Sequence, residues 1–206
     1  MDRPWKDHRA SARQWLALAA TMLAATAVVT AWPARAISET TVGGPFTLTA
    51  SDGQAVTDAT FRGKWLLVFF GYTFCPDACP TTLSQIAVAL EQLGADAQEV
   101  QPIFITVDPE RDTPKAMGEY TEAIDKRIVG LSGTPEQIAA VSQAYGVYSE
   151  RHRTGTGRDD YLIDHGTYIY IMSPEGKFAR GMSADTPADD IAATLRHLMT
   201  EARNGG

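Results

Sequence analysis

An α/β layer fold with a mixed central sheet is predicted by three observations. Strand-like and helix-like segments alternate along the chain from residue 37 onward. Residues 65–70, Trp-Leu-Leu-Val-Phe-Phe, form a continuous apolar run between Gly63 and Gly71, which suits a central strand covered on both faces. That run leads into Cys75-Pro76-Asp77-Ala78-Cys79-Pro80, which holds both cysteines of the 206-residue chain and opens an amphipathic stretch. A thiol pair at the end of a buried strand, opening a helix, is the thioredoxin arrangement. A three-layer, thioredoxin-like (redoxin) fold is therefore expected.

The chain begins with an appendage, residues 1–36. Arg3, Lys6, Arg9 and Arg13 precede an uncharged apolar run at residues 16–31, Pro33 breaks it, and Ala34-Arg35-Ala36 fits a small-residue cleavage site. The segment reads as an export signal. Trp15 and Trp32 bracket the run as interfacial tryptophans bracket an anchor. A cleaved signal and a retained membrane tether through residues 15–32 both stay open. Either places residues 37–206 outside the cytoplasm, in the periplasm or on the periplasmic face of the inner membrane.

Residues 1–36 hold five of the 18 basic and two of the 25 acidic residues, so the exported part carries 13 and 23, a net charge of −10. Such a domain has no electrostatic footprint for nucleic acid. Its length is enough to bury a core without disulfide staples, which turns attention to what the thiols do chemically.

The elements follow in order. Residues 45–49 and the turn Ser51-Asp52-Gly53-Gln54 suggest half of an early hairpin. After the central strand and the cysteine motif, residues 80–93 place Leu83, Ile86, Ala87, Leu90 and Leu93 at helical spacing. Residues 102–107 read as a second buried strand. Thr113 caps a helix that opens at Pro114 and runs to about residue 124. A short strand at 128–131 precedes a helix opened by Thr134-Pro135-Glu136. Residues 147–153 and 161–163 are strand candidates separated by a polar loop. Residues 167–172 and 178–182 flank Ser173-Pro174-Glu175-Gly176-Lys177 as a hairpin, and a last helix spans about 187–201.

If Cys75 and Cys79 shared one helical turn, four rises of ~1.5 Å would set their Cα atoms about 6 Å apart. That separation suits a disulfide and equally suits two thiolates clamping a soft metal ion. A helix N-terminus favours the thiolate, and Asp77 opposes it. Of the four histidines, His8 lies in the export segment, and His152 and His197 read as surface residues. His165 differs. It sits before a late strand, where a thioredoxin-like sheet brings a loop to face the cysteine motif.

Two cysteines and one histidine make a three-ligand soft site. Structural zinc wants four protein ligands, whereas copper suits thiolate and imidazole; zinc with water or Asp108 as a fourth ligand stays open. The family of thiol–disulfide oxidoreductases usually carries a proline opposite its cysteines, and none occurs here between Pro135 and Pro174.

Three motifs, Cys75-Pro76-Asp77-Ala78-Cys79-Pro80, residues 104–114 (Phe-Ile-Thr-Val-Asp-Pro-Glu-Arg-Asp-Thr-Pro) and Tyr161-Leu162-Ile163-Asp164-His165, together strongly resemble the SCO/SenC family, the copper chaperones of cytochrome c oxidase assembly. The resemblance covers roughly residues 43–200; Gly166 departs from it, since the family more often has serine there. It implies a thioredoxin-like fold, copper (Cu(I), Cu(II) or both) held by Cys75, Cys79 and His165, and transfer to the oxidase subunit that receives the binuclear copper centre. No residue is assigned a catalytic role. Other expected partners are a thiol reductase that keeps the pair reduced and further copper chaperones.

Asp108 ends a strand beside the motif, so its carboxylate either accepts from a ligand or thiol or makes an Asx turn before Pro109, with Glu110, Arg111 and Asp112 as a loop ion-pair cluster. Asp164 either orients His165 or caps the loop. The competing readings are a periplasmic thiol–disulfide oxidoreductase using Cys75 and Cys79 as a redox-active disulfide, and a redox sensor built on the same pair.

Overall fold

The expected alternation of strands and helices is realised in a computed structural model that describes residues 42–205; the expected export segment lies outside them. A seven-stranded mixed sheet is built from β1 (Thr47–Ala50), β2 (Ala55–Thr57), β3 (Trp65–Gly71), β4 (Val100–Thr106), β5 (Val129–Ser132), β8 (Tyr168–Met172) and β9 (Phe178–Ser183), in the order β2-β1-β5-β4-β3-β8-β9. Strands β3, β4 and β5 run parallel and β8 antiparallel to β3. The remaining strands, β6 (Ser149–Arg153) and β7 (Tyr161–His165), pair only with each other, with Ser149 opposite His165.

All seven residues of β3 are buried because both faces of the strand are covered. Trp65, Leu67 and Phe69 point into one core with α1 (Ala78–Leu93), α2 (Pro114–Ile124) and α4 (Ala188–Asn204). Leu66, Val68 and Phe70 point into the other, with α3 (Pro135–Tyr145) and the inward residues Tyr161 and Ile163 of β7. The period-two alternation of a strand thus splits one apolar run between two cores. Among the described residues no helix is long and apolar enough to cross a membrane.

The helix starts obey local chemistry. Thr113 accepts from Ala116 N ahead of Pro114, and Thr134 accepts from Gln137 N while Gln137 returns a bond to Thr134 N, a reciprocal cap. Helix α1 departs from the sequence expectation. It starts at Ala78, two residues earlier than the spacing suggests, with Pro80 in its first turn, where the missing N–H has no helical partner to lose. Cys75 lies outside it, since the residue before Pro76 is pushed away from the helical region. The two cysteines therefore do not share a helical turn.

Candidate metal centre

The sulfur atoms are brought together by a turn followed by a helix start. Beyond Gly71 the chain folds back, Cys75 N donating to Tyr72 O at 3.2 Å, and α1 then opens so that Cys79 N donates to Cys75 Sγ at 3.4 Å. Cys79 is fully buried and Cys75 half-buried. Gly71 is required by close approach: a Cβ there would lie 2.5 Å from Cys79 Sγ and 2.7 Å from the Phe104 ring.

His165 ends β7. Its ring stands edge-on to Phe69 and Tyr72, with centroids 6.2 and 5.9 Å away. Nδ1 lies 3.0 Å from Gly166 O. A carbonyl only accepts, so Nδ1 carries the proton, and neutral imidazole then presents the Nε2 lone pair. That atom faces Cys79 Sγ at 3.6 Å. The two sulfurs and an imidazole nitrogen all lie within 4.8 Å of one another. Two soft sulfurs and one imidazole are the donor set that suits copper.

The thiols are electrostatically unequal. Cys75 is held well below the ordinary thiol range, first by the Cys79 thiol donating to it, then, against the cost of burial, by the backbone N–H groups of Cys79 and Asp77. Cys79 is pushed up by donating that bond and by its burial. Cys75 is also the accessible sulfur, facing an open cleft lined by Tyr72, Asp77, Leu162 and Thr167.

The two carboxylates expected near the ligands stand elsewhere. Asp108 is buried, accepting from Arg111 Nε at 2.5 Å and Tyr161 Oη at 2.8 Å. Asp164 is exposed and lies 3.1 Å from His152 Nε2, because alternation along β7 turns it outward while Tyr161 and Ile163 turn in. His165 is oriented by Gly166 O. The loop cluster is also not one surface network. Glu110 pairs with Arg151 at the surface, whereas Asp112 is buried and accepts from Thr73 N at 3.0 Å, from the Thr73 hydroxyl and from Thr106 Oγ1 at 2.7 Å. Thr73 lies two residues before Cys75, so Asp112 braces the cysteine loop. A lone acid inside a charged run carries no sequence signal of this burial.

The SCO1/SenC family model matches residues 34–200. The chain belongs to the SCO1/SenC family. It is 41% identical over 172 residues to the mitochondrial SCO2 homolog of Bos taurus, covering 82% of this chain and 64% of that protein. Among solved structures, Bradyrhizobium japonicum ScoI with copper bound is 45% identical, with a TM-score of 0.69 over 76% of this chain and 98% of that one. Arabidopsis thaliana ScoI with copper bound is 37% identical, with a TM-score of 0.72 over 78% and 99%. The chain spans 45–64% of the length of its curated relatives. The fold of this SCO1/SenC chain is thioredoxin-like, as the strand–thiol–helix order predicts.

Proposed function

We propose that this chain is a copper metallochaperone that delivers copper to the binuclear copper site of cytochrome c oxidase during its assembly. Copper is its cargo, held by Cys75, Cys79 and His165. The observation that carries the reading is the convergence of two sulfurs and a lone-pair-bearing Nε2 within 4.8 Å. The copper-bound structures of relatives 45% and 37% identical support it. So does membership of the SCO1/SenC family across most of the chain.

The three residues have different parts. Cys79, buried under Gly71 and Phe104, is the fixed ligand. Cys75 faces the cleft and gains its thiolate first, so it is the sulfur that an incoming acceptor ligand displaces. His165 fills the remaining side. The dithiol must be kept reduced in an oxidising compartment, which calls for a thiol reductase as a second partner. Export by residues 1–36 sets the domain in the periplasm, or on the periplasmic face of the inner membrane if residues 15–32 are retained as a tether.

The test is anaerobic copper titration of the reduced protein beside His165→Ala, with X-ray absorption on the loaded samples. One copper per chain is expected, with two sulfur neighbours and a nitrogen that is lost in the variant. Affinity should fall by at least about 100-fold, since even the partners that merely orient ligands cost 10–100-fold when removed. Unchanged affinity in His165→Ala, or rapid turnover of a disulfide substrate without tight copper binding, would sink the reading.

A further inference from the structure

The ligands stand on two pieces of the fold that share no strand ladder. Cys75 and Cys79 follow β3 in the seven-stranded sheet, while His165 ends β7 in the separate β6–β7 hairpin. To hold one ion between them, the hairpin must be set against the cysteine loop to within about 0.5 Å. We propose that Arg111, in the turn between β4 and α2, is the positioning residue that places the His165 imidazole over the cysteine pair. For its consequence on copper, the inference rests on the three-ligand reading above.

Arg111 touches both pieces. Toward the hairpin, its Nη1 donates to Asp159 O at 3.1 Å and Tyr161 O at 3.0 Å, and its Cζ lies 3.6 Å from the centre of the Tyr161 ring. Toward the cysteine loop, the same carbon lies 4.6 Å from the Phe74 ring and 5.7 Å from the Tyr72 ring. Phe74 precedes Cys75, and the Tyr72 hydroxyl accepts from Ile163 N at 3.2 Å, two residues before His165. Tyr72 also packs on the imidazole itself. One guanidinium is thus held among the aromatic rings of both ligand-bearing segments.

Asp108 fixes the guanidinium in turn. It accepts from Arg111 Nε and, with its other oxygen, from Tyr161 Oη. The side chain of Arg111 is only 7% exposed, and among the described residues its Nη2 has no hydrogen-bond partner. The flat face of Arg111 on Tyr161, and its Nη1 donating to the carbonyls of Asp159, in the turn before β7, and of Tyr161, at the strand's start, define the position. A lysine offers the charge without the plane or the separate Nε that donates to Asp108.

The experiment reads His165 without copper. In the reduced, metal-free full chain, nuclear Overhauser contacts between the His165 ring and the rings of Tyr72 and Phe69 report its position. Arg111→Met should weaken them several-fold, and after copper loading the variant should keep two sulfur neighbours while losing the nitrogen. Glu110→Gln, which removes only a surface partner of Arg151, should leave the contacts unchanged. Should Arg111→Met not fold, Arg111→Lys takes its place with the same expectation, because one ammonium cannot replace the Nε bond to Asp108, the Nη1 bonds to the carbonyls and the plane on Tyr161 together. Full retention of the ring contacts in whichever variant folds would overturn the proposal, as would equal loss in Glu110→Gln. Failure of the three-ligand reading shows separately, as unchanged copper affinity in His165→Ala while the ring contacts still depend on Arg111.

Discussion

Asp112 is buried without a cationic partner among the described residues, and three hydrogen bonds from Thr73 and Thr106 are its only compensation. Burial raises its carboxyl above the ordinary range, against those hydrogen bonds. Folding then favours the protonated form. The stabilisation it brings is full below the unfolded carboxylate value of about 3.9 and is lost as pH rises through the raised folded value. Asparagine can keep the same partners: its oxygen accepts from Thr73 N and Thr106 Oγ1, and its amide donates to the Thr73 hydroxyl. Asp112→Asn should therefore be more stable than the parent at pH 7.5, with the advantage shrinking toward pH 4.5, as read from urea midpoints at both values. An advantage that grew on acidification would contradict this account. Asp112 and Arg111 also mark where sequence reading stops at this scale. Both stand in a run of charges, which composition assigns to a solvated loop; only the fold, by laying the β4–α2 turn under β7 and beside the cysteine loop, buries them.

At the scale of the element, the start of α1 decides how the cysteines meet. Periodicity located the apolar face of the helix at Leu83, Ile86 and Leu90 and reached its end, but it could not place the first turn, which carries no apolar repeat. The proline before Ala78 and the one after Cys79 pull the boundary in different directions, and tertiary packing decides between them. Cys79 is driven under Gly71, into the space that a side chain on β3 would fill. Gly71→Ala would push a methyl into Cys79 Sγ and into the Phe104 ring, which stacks between Phe69 and Tyr120. Neither neighbour can give freely in a packed interior, and overpacking of this kind costs roughly 1–3 kcal/mol. Urea unfolding should show that loss, with weakened copper binding as Cys79 is displaced. An unchanged midpoint would mean that β3 can shift where the packing says it cannot.

At the scale of the whole molecule, the domain is one sheet with two cores plus a hairpin held on from outside. The sheet was legible because both of its ingredients are statistical: continuous apolar runs for β3 and β4, and capped amphipathic segments for the helices. The separate pairing of β6 with β7 was not, since residues 147–153 and 161–163 have the same local pattern whether or not they join the main ladder. Local stability should follow this division. β3 is buried on both faces, whereas β6 is exposed along its whole length and β7 only alternately buried. Hydrogen exchange in the metal-free protein should release the amides of β6 and β7 well before those of β3 and β4, because local opening follows buried contacts. If copper spans Cys75, Cys79 and His165, it ties the hairpin to the main body, and binding to the closed form alone adds protection of RT ln(1 + [L]/Kd). At a free copper concentration of about 100 times Kd that is about 2.7 kcal/mol, roughly a 100-fold slowing of exchange. The slowing should be confined to the hairpin and the loop at Tyr72–Asp77, and should vanish from the hairpin in His165→Ala while persisting in the loop. Protection that rose equally across β3 and β4 would instead mean that copper stabilises the domain as a unit and that the hairpin does not open by itself.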